Sequence, residues 1–164
     1  MCSEVRIVDE IRRLQDNLLL IRRAVGWTAE ELGEKIGVSR QTINNLEANR
    51  NKLSKAQYIA IRAVLDAEME RSPEDTKMLA LILDVFVDHP ENYDEAKRKA
   101  LLDKANMITP SILAGSTSRK KVSGEMMGIA VGILGAAIGG VIGTIIGTAS
   151  TGKWLDDLLK DSNK

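Results

Sequence analysis

The longest uncharged stretch of the chain sets the strongest limit on its fold. Residues 126–149, MMGIAVGILGAAIGGVIGTIIGTA, carry no charged side chain. At 1.5 Å per residue, a continuous helix over this stretch would be about 36 Å long, enough to cross a hydrocarbon core of about 30 Å. The sequence therefore predicts a Gly-rich transmembrane helix that anchors the chain in the cell membrane.

Glycines recur in this segment at steps of three and four residues, so they would share one face of the helix. Such spacing lets a second helix approach closely, which predicts a glycine-zipper face and a homo-oligomer. The glycines concerned are Gly128, Gly132, Gly135, Gly139, Gly143 and Gly147. The alternative is a cytoplasmic protein that buries the segment in an oligomer, or packs it on Ile82, Val85 and Phe86.

Charged and aromatic residues around the segment predict its orientation. A basic run at residues 119–121 comes before it, whereas Lys153 is followed by Asp156 and Asp157. Basic residues favour the cytoplasmic side of a membrane, so the N-terminal domain is expected in the cytoplasm. Trp154 lies where an anchor at the membrane interface would be expected.

The rest of the chain carries aliphatic residues at steps of three and four, a pattern typical of helices with one buried face. We expect helices over residues 4–25, 54–70, 73–88 and 93–106, in an all-α fold. The predicted divisions are a helix-turn-helix domain at 1–71, a helical pair at 72–108, a linker at 109–125, the apolar helix at 126–149 and a polar tail at 150–164. The linker prediction rests on Ser, Thr and Gly content.

Residues 26–47, GWTAEELGEKIGVSRQTINNLE, predict two short helices joined by a tight turn. Thr28 and Glu31 have the spacing of a capping box, which begins the first helix. Gly37 can adopt positive φ and end it, and Ser39 can cap a second helix that begins at Arg40. This arrangement is typical of a helix-turn-helix motif.

Outward side chains of the second helix suit double-stranded DNA. An arginine can donate two hydrogen bonds to guanine, glutamine and asparagine can pair with adenine, and hydroxyl or basic groups can contact phosphate. The predicted DNA-binding residues are Ser39, Arg40, Gln41, Thr42, Asn44, Asn45, Arg50 and Lys52. Although the whole chain has a formal net charge of zero, the basic residues here, with Lys55, outnumber Glu47 and leave a small positive patch.

At these residues the sequence resembles the Cro/repressor-like (Xre) helix-turn-helix family, over about residues 14–67 and most closely in GVSRQTINNLE. The resemblance implies that Arg40, Gln41 and Asn45 occupy base-reading positions. It also implies backbone-contacting roles for Ser39 and Thr42.

The resemblance further implies a partly buried ion pair between Arg22 and Glu47. Two residues depart from the family pattern. Ala29 stands where relatives often carry a glutamine that supports DNA contact. Gly33 stands where alanine is usual, which should cost the helix about 1 kcal/mol but allows a close approach of neighbouring backbone.

Together, these signals predict a sequence-specific, DNA-binding transcriptional regulator tethered to the membrane by its C-terminal helix. Two alternatives remain: a small oligomeric membrane protein, pore- or toxin-like, with a regulatory helix-turn-helix domain, and a helix-turn-helix used only for protein contact. One Cys and one His leave no disulfide framework or Cys/His zinc site. We expect no enzyme activity, catalytic residue, metal or cofactor.

Overall fold

The computed structural model describes residues 2–115, 117–135 and 153–161, and its secondary structure in these ranges is helical. The first helices form the helix-turn-helix body and its N-terminal extension. They are α1 (Cys2–Asp16), α2 (Leu18–Val25), α3 (Ala29–Ile36), α4 (Arg40–Glu47) and α5 (Lys55–Arg71). The predicted all-α fold with an N-terminal helix-turn-helix is confirmed.

The later helices pack onto the same body. They are α6 (Lys77–Ile82), which continues as a π-helical turn (Leu83–Asp88), then a 3-10 turn (Pro90–Asn92), α7 (Glu95–Ile108), α8 (Pro110–Leu113), α9 (Arg119–Leu134) and α10 (Lys153–Asp161). Both α6 and α7 contact α9. One hydrophobic core includes Leu14, Tyr58, Leu79, Val85 and Met126, all buried.

Asn17 divides the N-terminal helix predicted over residues 4–25. Its backbone leaves the helical range, with φ −108° and ψ 10°. Its side-chain Nδ2 donates to the carbonyl oxygen of Arg13 at 2.8 Å. Asparagine side chains compete in this way for backbone groups, so a continuous apolar stripe need not lie on a continuous helix.

The helix predicted to begin at Pro73 begins instead at Lys77. Residues 72–76 form a turn in which the Thr76 hydroxyl donates to the carbonyl oxygen of Ser72 at 2.8 Å. Thr76 is buried. The proline and acidic residues that favour a helix start therefore belong to the preceding turn.

Residues 109–125 are not a linker, because they contain α8 and the first turns of α9. Ser118 caps α9 by accepting a hydrogen bond at Oγ from the Lys121 N–H at 3.1 Å. Val122, Met126 and Ala130 follow at steps of four and are buried. Ser and Gly residues lie between these apolar positions, so the composition of the segment does not indicate a helix with a buried face.

Arg119 fastens the start of α9 to the N-terminal body. Its Nη1 donates to the Val25 carbonyl at 3.0 Å and to Glu68 Oε1 at 2.8 Å. The sequence placed Arg119 in a basic run beside a membrane. In the structure its side chain is an internal contact between helices.

The predicted transmembrane helix over residues 126–149 is not supported. α9 ends at Leu134, and Gly135 has φ 92° and ψ 167°. No helix that the structure describes is long and apolar enough to cross a membrane. Met126 and Ala130 pack in the protein core instead, while residues 136–149 lie outside the described residues.

Trp154, predicted as an anchor at the membrane interface, packs on the helical body. Its ring meets that of Tyr58 edge-on, with centroids 5.9 Å apart. Its indole N–H donates to Asp66, and Leu158, one turn further along α10, is buried. Residues on both sides of the uncharged segment therefore pack on one protein body.

The glycine-zipper face is not supported by the described part of the segment. Gly128 and Gly132 are exposed, and a Cβ at either would meet nothing within 4 Å. A Cβ at Gly135 would also lie in open space. Gly139, Gly143 and Gly147 lie outside the described residues.

Candidate nucleic-acid interface

Three local features, a capping box, a left-handed glycine and an N-cap, set the ends of α3 and the start of α4. Thr28 Oγ1 accepts from the Glu31 N–H at 3.1 Å, while the Glu31 carboxylate accepts from the Thr28 N–H at 2.7 Å. Gly37 ends α3 in the left-handed region at φ 78°. Ser39 Oγ then accepts from the Thr42 N–H at 3.1 Å and begins α4. These contacts fix the connection that carries α4.

Gly33 lets the chain after the turn lie directly against α3. A Cβ at Gly33 would come within 2.6 Å of the Val38 carbonyl oxygen and 3.3 Å of the Ser39 carbonyl carbon. Backbone atoms of the turn, unlike a flexible side chain, have little room to move away. The departure from the usual alanine is therefore a packing requirement of this turn.

Replacing Gly33 with alanine should lower the free energy of unfolding by about 1–3 kcal/mol, because the new methyl group overpacks the turn. Helix propensity alone predicts a gain of about 1 kcal/mol from the same change. Urea unfolding measures the sign.

Gly128→Ala on α9 is the matched control. It adds the same methyl group to a helix interior where a Cβ has open space, and should stabilise the protein by about 0.5–1 kcal/mol. Equal stabilisation by both substitutions would refute the packing role of Gly33.

The ion pair implied between Arg22 and Glu47 is present and joins α2 to α4. Arg22 donates through Nε to Glu47 Oε1 and through Nη2 to Oε2, the latter at 3.1 Å. Its Nη1 donates to the Trp27 carbonyl oxygen at 2.9 Å. The two side chains are only 10% and 9% exposed. This buried pair holds α4 against the body of the domain.

The outward face of α4 is polar and ordered by its own hydrogen bonds. Gln41 Nε2 donates to Asn45 Oδ1 at 3.0 Å, and Arg50 Nη1 approaches the same oxygen at 3.3 Å. Arg40 and Gln41 are exposed. The helix buries its apolar side through Ile43 and Leu46. α4 therefore presents amide and guanidinium groups to solvent from a fixed base.

The remaining predicted residues border this face. The hydroxyl oxygens of Ser39 and Thr42 lie 3.0 Å apart at the start of α4. Asn44 is half-buried, and Arg50 and Lys52 are exposed in the loop that follows the helix. The structure thus brings all eight predicted DNA-binding residues together on α4 and its two ends.

The electrostatics of this face follow from the ion pair. Glu47 is the acidic residue of α4, and its carboxylate is paired with Arg22 on the inner side. Arg40, Arg50 and Lys52 stay at the surface. The net positive charge of this patch is therefore larger than it would be if Glu47 offset one of these basic residues.

Two further residues refine the predicted site. Ala29 is buried, so its side chain offers no contact to DNA at the position where relatives often carry glutamine. Gln15 on α1, which the sequence did not single out, is also buried and reaches the loop after α4. The sequence gives one sign that Gln15 is buried: it directly follows Leu14, which belongs to the apolar stripe of the helix.

Within residues 2–115, 117–135 and 153–161, His, Cys, Asp and Glu side chains form no group of three that could hold a metal ion. The candidate site is a binding surface of amide, hydroxyl and basic groups.

Comparison with known proteins agrees with this geometry. A family model described as "Helix-turn-helix" matches residues 18–71. The protein named Antitoxin HipB from Escherichia coli is 32% identical over 71 residues, which cover 40% of this chain and 81% of that protein. An Antitoxin HipB from a second Escherichia coli strain is 35% identical over 57 residues, 35% of this chain and 61% of that protein.

This chain thus spans most of the first relative and less than two thirds of the second. No solved structure matches it significantly. The matched region contains α2 to α5, with the capped helix pair, the Gly37 turn and the Arg22–Glu47 ion pair. The chain belongs to the Xre-type helix-turn-helix family.

Proposed function

We propose that this chain is a DNA-binding transcriptional regulator that reads double-stranded DNA in a sequence-specific manner with α4. The observation that carries the proposal is the polar outward face of α4, where Gln41 and Arg50 both donate hydrogen bonds to Asn45 Oδ1. The family membership of the chain supports it.

Base reading is assigned to the exposed side chains of α4. An α-helix fits the major groove of B-DNA, where an arginine can donate two hydrogen bonds to guanine O6 and N7. Glutamine and asparagine amides match the N6 and N7 positions of adenine in the same way. Arg40, Gln41 and Asn45 would therefore meet base edges, and the Gln41–Asn45 hydrogen bond would orient the two amides before DNA arrives.

Phosphate contact is assigned to both ends of α4. The hydroxyls of Ser39 and Thr42 lie beside the N-terminus of the helix, where free N–H groups and the helix dipole favour an anion. Arg50 and Lys52 supply positive charge beyond its C-terminus. Such contacts position a protein on the duplex without reading its sequence.

Selection of binding sites from a random pool of DNA duplexes tests the function. We expect the full chain to enrich a short motif over successive rounds. The matched control changes Lys97 and Lys99 to alanine, removing two exposed charges of α7, and should enrich the same motif. A pool with no enrichment after selection by the unaltered chain would refute sequence-specific binding.

We also propose that two copies bind together. α4 has eight residues and is therefore about 12 Å long, which covers only a few base pairs. A pair of modules would read two half-sites about 34 Å apart, one turn of the duplex. The mass of the complex on the selected motif measures this, and one chain on an asymmetric site would contradict it.

The proposal includes neither a membrane tether nor a pore- or toxin-like activity. Met126 and Ala130, in the first part of the uncharged segment, and Trp154, after it, pack on the same helical body. A regulator of this type would work in the cytoplasm, where it meets DNA. No catalytic step is assigned.

A further inference from the structure

We propose that Gln15 is a positioning residue for the loop at residues 49–53, which carries the phosphate-contacting Arg50 and Lys52. This role rests on the proposed DNA-binding function. Gln15 itself touches no DNA in this account, because it lies on the inner side of the loop with 8% of its surface exposed.

Both the nitrogen and the oxygen of the Gln15 side-chain amide form hydrogen bonds with this loop and the helix before it. Nε2 donates to the Leu46 carbonyl at 3.0 Å and to the Asn51 carbonyl at 2.7 Å. Oε1 accepts from the Leu53 N–H at 3.0 Å. One side chain thus joins the last turn of α4 to two points in the loop.

Two of these backbone groups lie outside any helix. The Leu46 carbonyl, in the last turn of α4, also accepts from the Asn49 N–H at 3.2 Å, so Gln15 is a second partner for it. The Asn51 carbonyl and the Leu53 N–H belong to a segment without helical bonds of its own. Leaving them buried without partners would be unfavourable, so loss of Gln15 should let this backbone move towards water.

The positions of the two basic residues connect this clamp to DNA contact. Arg50 and Lys52 alternate with Asn51 and Leu53, the residues that Gln15 holds. Asn49 turns the chain through the left-handed region at φ 56°, and Leu53 is buried. Gln15 therefore fixes the backbone from which both basic side chains project.

The salt dependence of binding separates this role from a general effect on stability. The probe is a 30-base-pair duplex of mixed sequence, with affinity measured by fluorescence anisotropy between 50 and 300 mM salt. Each phosphate contact contributes about 0.9 to the slope of log affinity against log salt. We expect Gln15→Leu to reduce that slope by about one to two, with roughly 10-fold weaker binding at 50 mM salt.

Two further variants serve as references for the salt dependence of Gln15→Leu. Combined Arg50→Ala and Lys52→Ala gives the slope without both phosphate contacts, and Gln15→Leu should approach it. Ser123→Ala removes a buried hydrogen bond from α9 to the Asp75 carbonyl, 3.1 Å long and away from α4. Ser123→Ala should keep the slope of the unaltered chain.

A Gln15→Leu slope equal to that of the unaltered chain would overturn this inference and leave the proposed function standing. If the unaltered chain shows no salt-dependent binding, both the proposed DNA-binding function and the role of Gln15 are refuted. If the Gln15→Leu variant does not fold, hydrogen exchange of the Leu53 amide in the unaltered chain tests the same inference. The Leu53 amide should be protected, and exchange as fast as in an unstructured peptide would overturn the clamp.

Discussion

Replacing Glu47 with alanine should lower the free energy of unfolding by about 3–5 kcal/mol, the usual result when one partner of a buried ion pair is lost. Arg22 would keep its charge at a site where its side chain is 10% exposed, and among the described residues the Trp27 carbonyl would remain as its partner. For a chain of this size the melting temperature should fall by roughly 10 °C. Thermal and urea unfolding measure both quantities.

An exposed ion pair provides the matched control. Arg12 lies 3.3 Å from Asp9 on α1, with 69% of the Arg12 side chain exposed, and Arg12→Ala should cost about 1 kcal/mol or less. Changing Arg22 to methionine together with Glu47 to leucine should recover much of the loss, since no buried charge is then left alone. A Glu47→Ala effect no larger than that of Arg12→Ala would contradict this description of the pair.

Changing Arg40 and Gln41 together to alanine should weaken binding to the selected motif by about 2–6 kcal/mol, since each paired base contact contributes about 1–3 kcal/mol. Both side chains are exposed, so the change should leave folding intact. Binding to a scrambled duplex should change much less than binding to the motif. Comparing dissociation constants on the two duplexes gives the loss of discrimination.

Arg50→Ala is the control for this second prediction. A residue that contacts phosphate should weaken binding to the motif and to the scrambled duplex by similar factors, leaving the preference between them intact. If the double variant behaves in the same way, Arg40 and Gln41 do not read bases.

The helix-turn-helix was predictable because its signals are local. Thr28, Gly37 and Ser39 each act on backbone groups within a few residues, so their effects follow from the sequence alone. The family resemblance added the Arg22–Glu47 pair, which no periodicity indicates. The close contact between Gly33 and the Val38 carbonyl gave that glycine its packing role only in three dimensions.

The C-terminal half was harder because its signals have more than one physical outcome. A lack of charge is required of a membrane span, but it also suits a helix buried against protein, as Met126 and Ala130 are against the body of this fold. Tryptophan combines an apolar ring with one N–H, which suits a membrane interface and also the contacts with Tyr58 and Asp66.

Gln15 shows the same limit for a polar residue. Its partners lie 31, 36 and 38 residues further along the chain. No local pattern predicts which backbone groups a buried amide will meet, because that depends on how α1 packs beside α4 and the loop that follows.

The central claim, that the outward face of α4 meets DNA, is tested most directly by NMR of the labelled full chain during titration with the selected duplex. The side-chain amide signals of Gln41, Asn44 and Asn45 should shift and saturate at the binding stoichiometry. The side-chain amide of Asn106, exposed on α7, should stay unchanged. Binding that shifts Asn106 and leaves the three α4 amides unchanged would contradict the account.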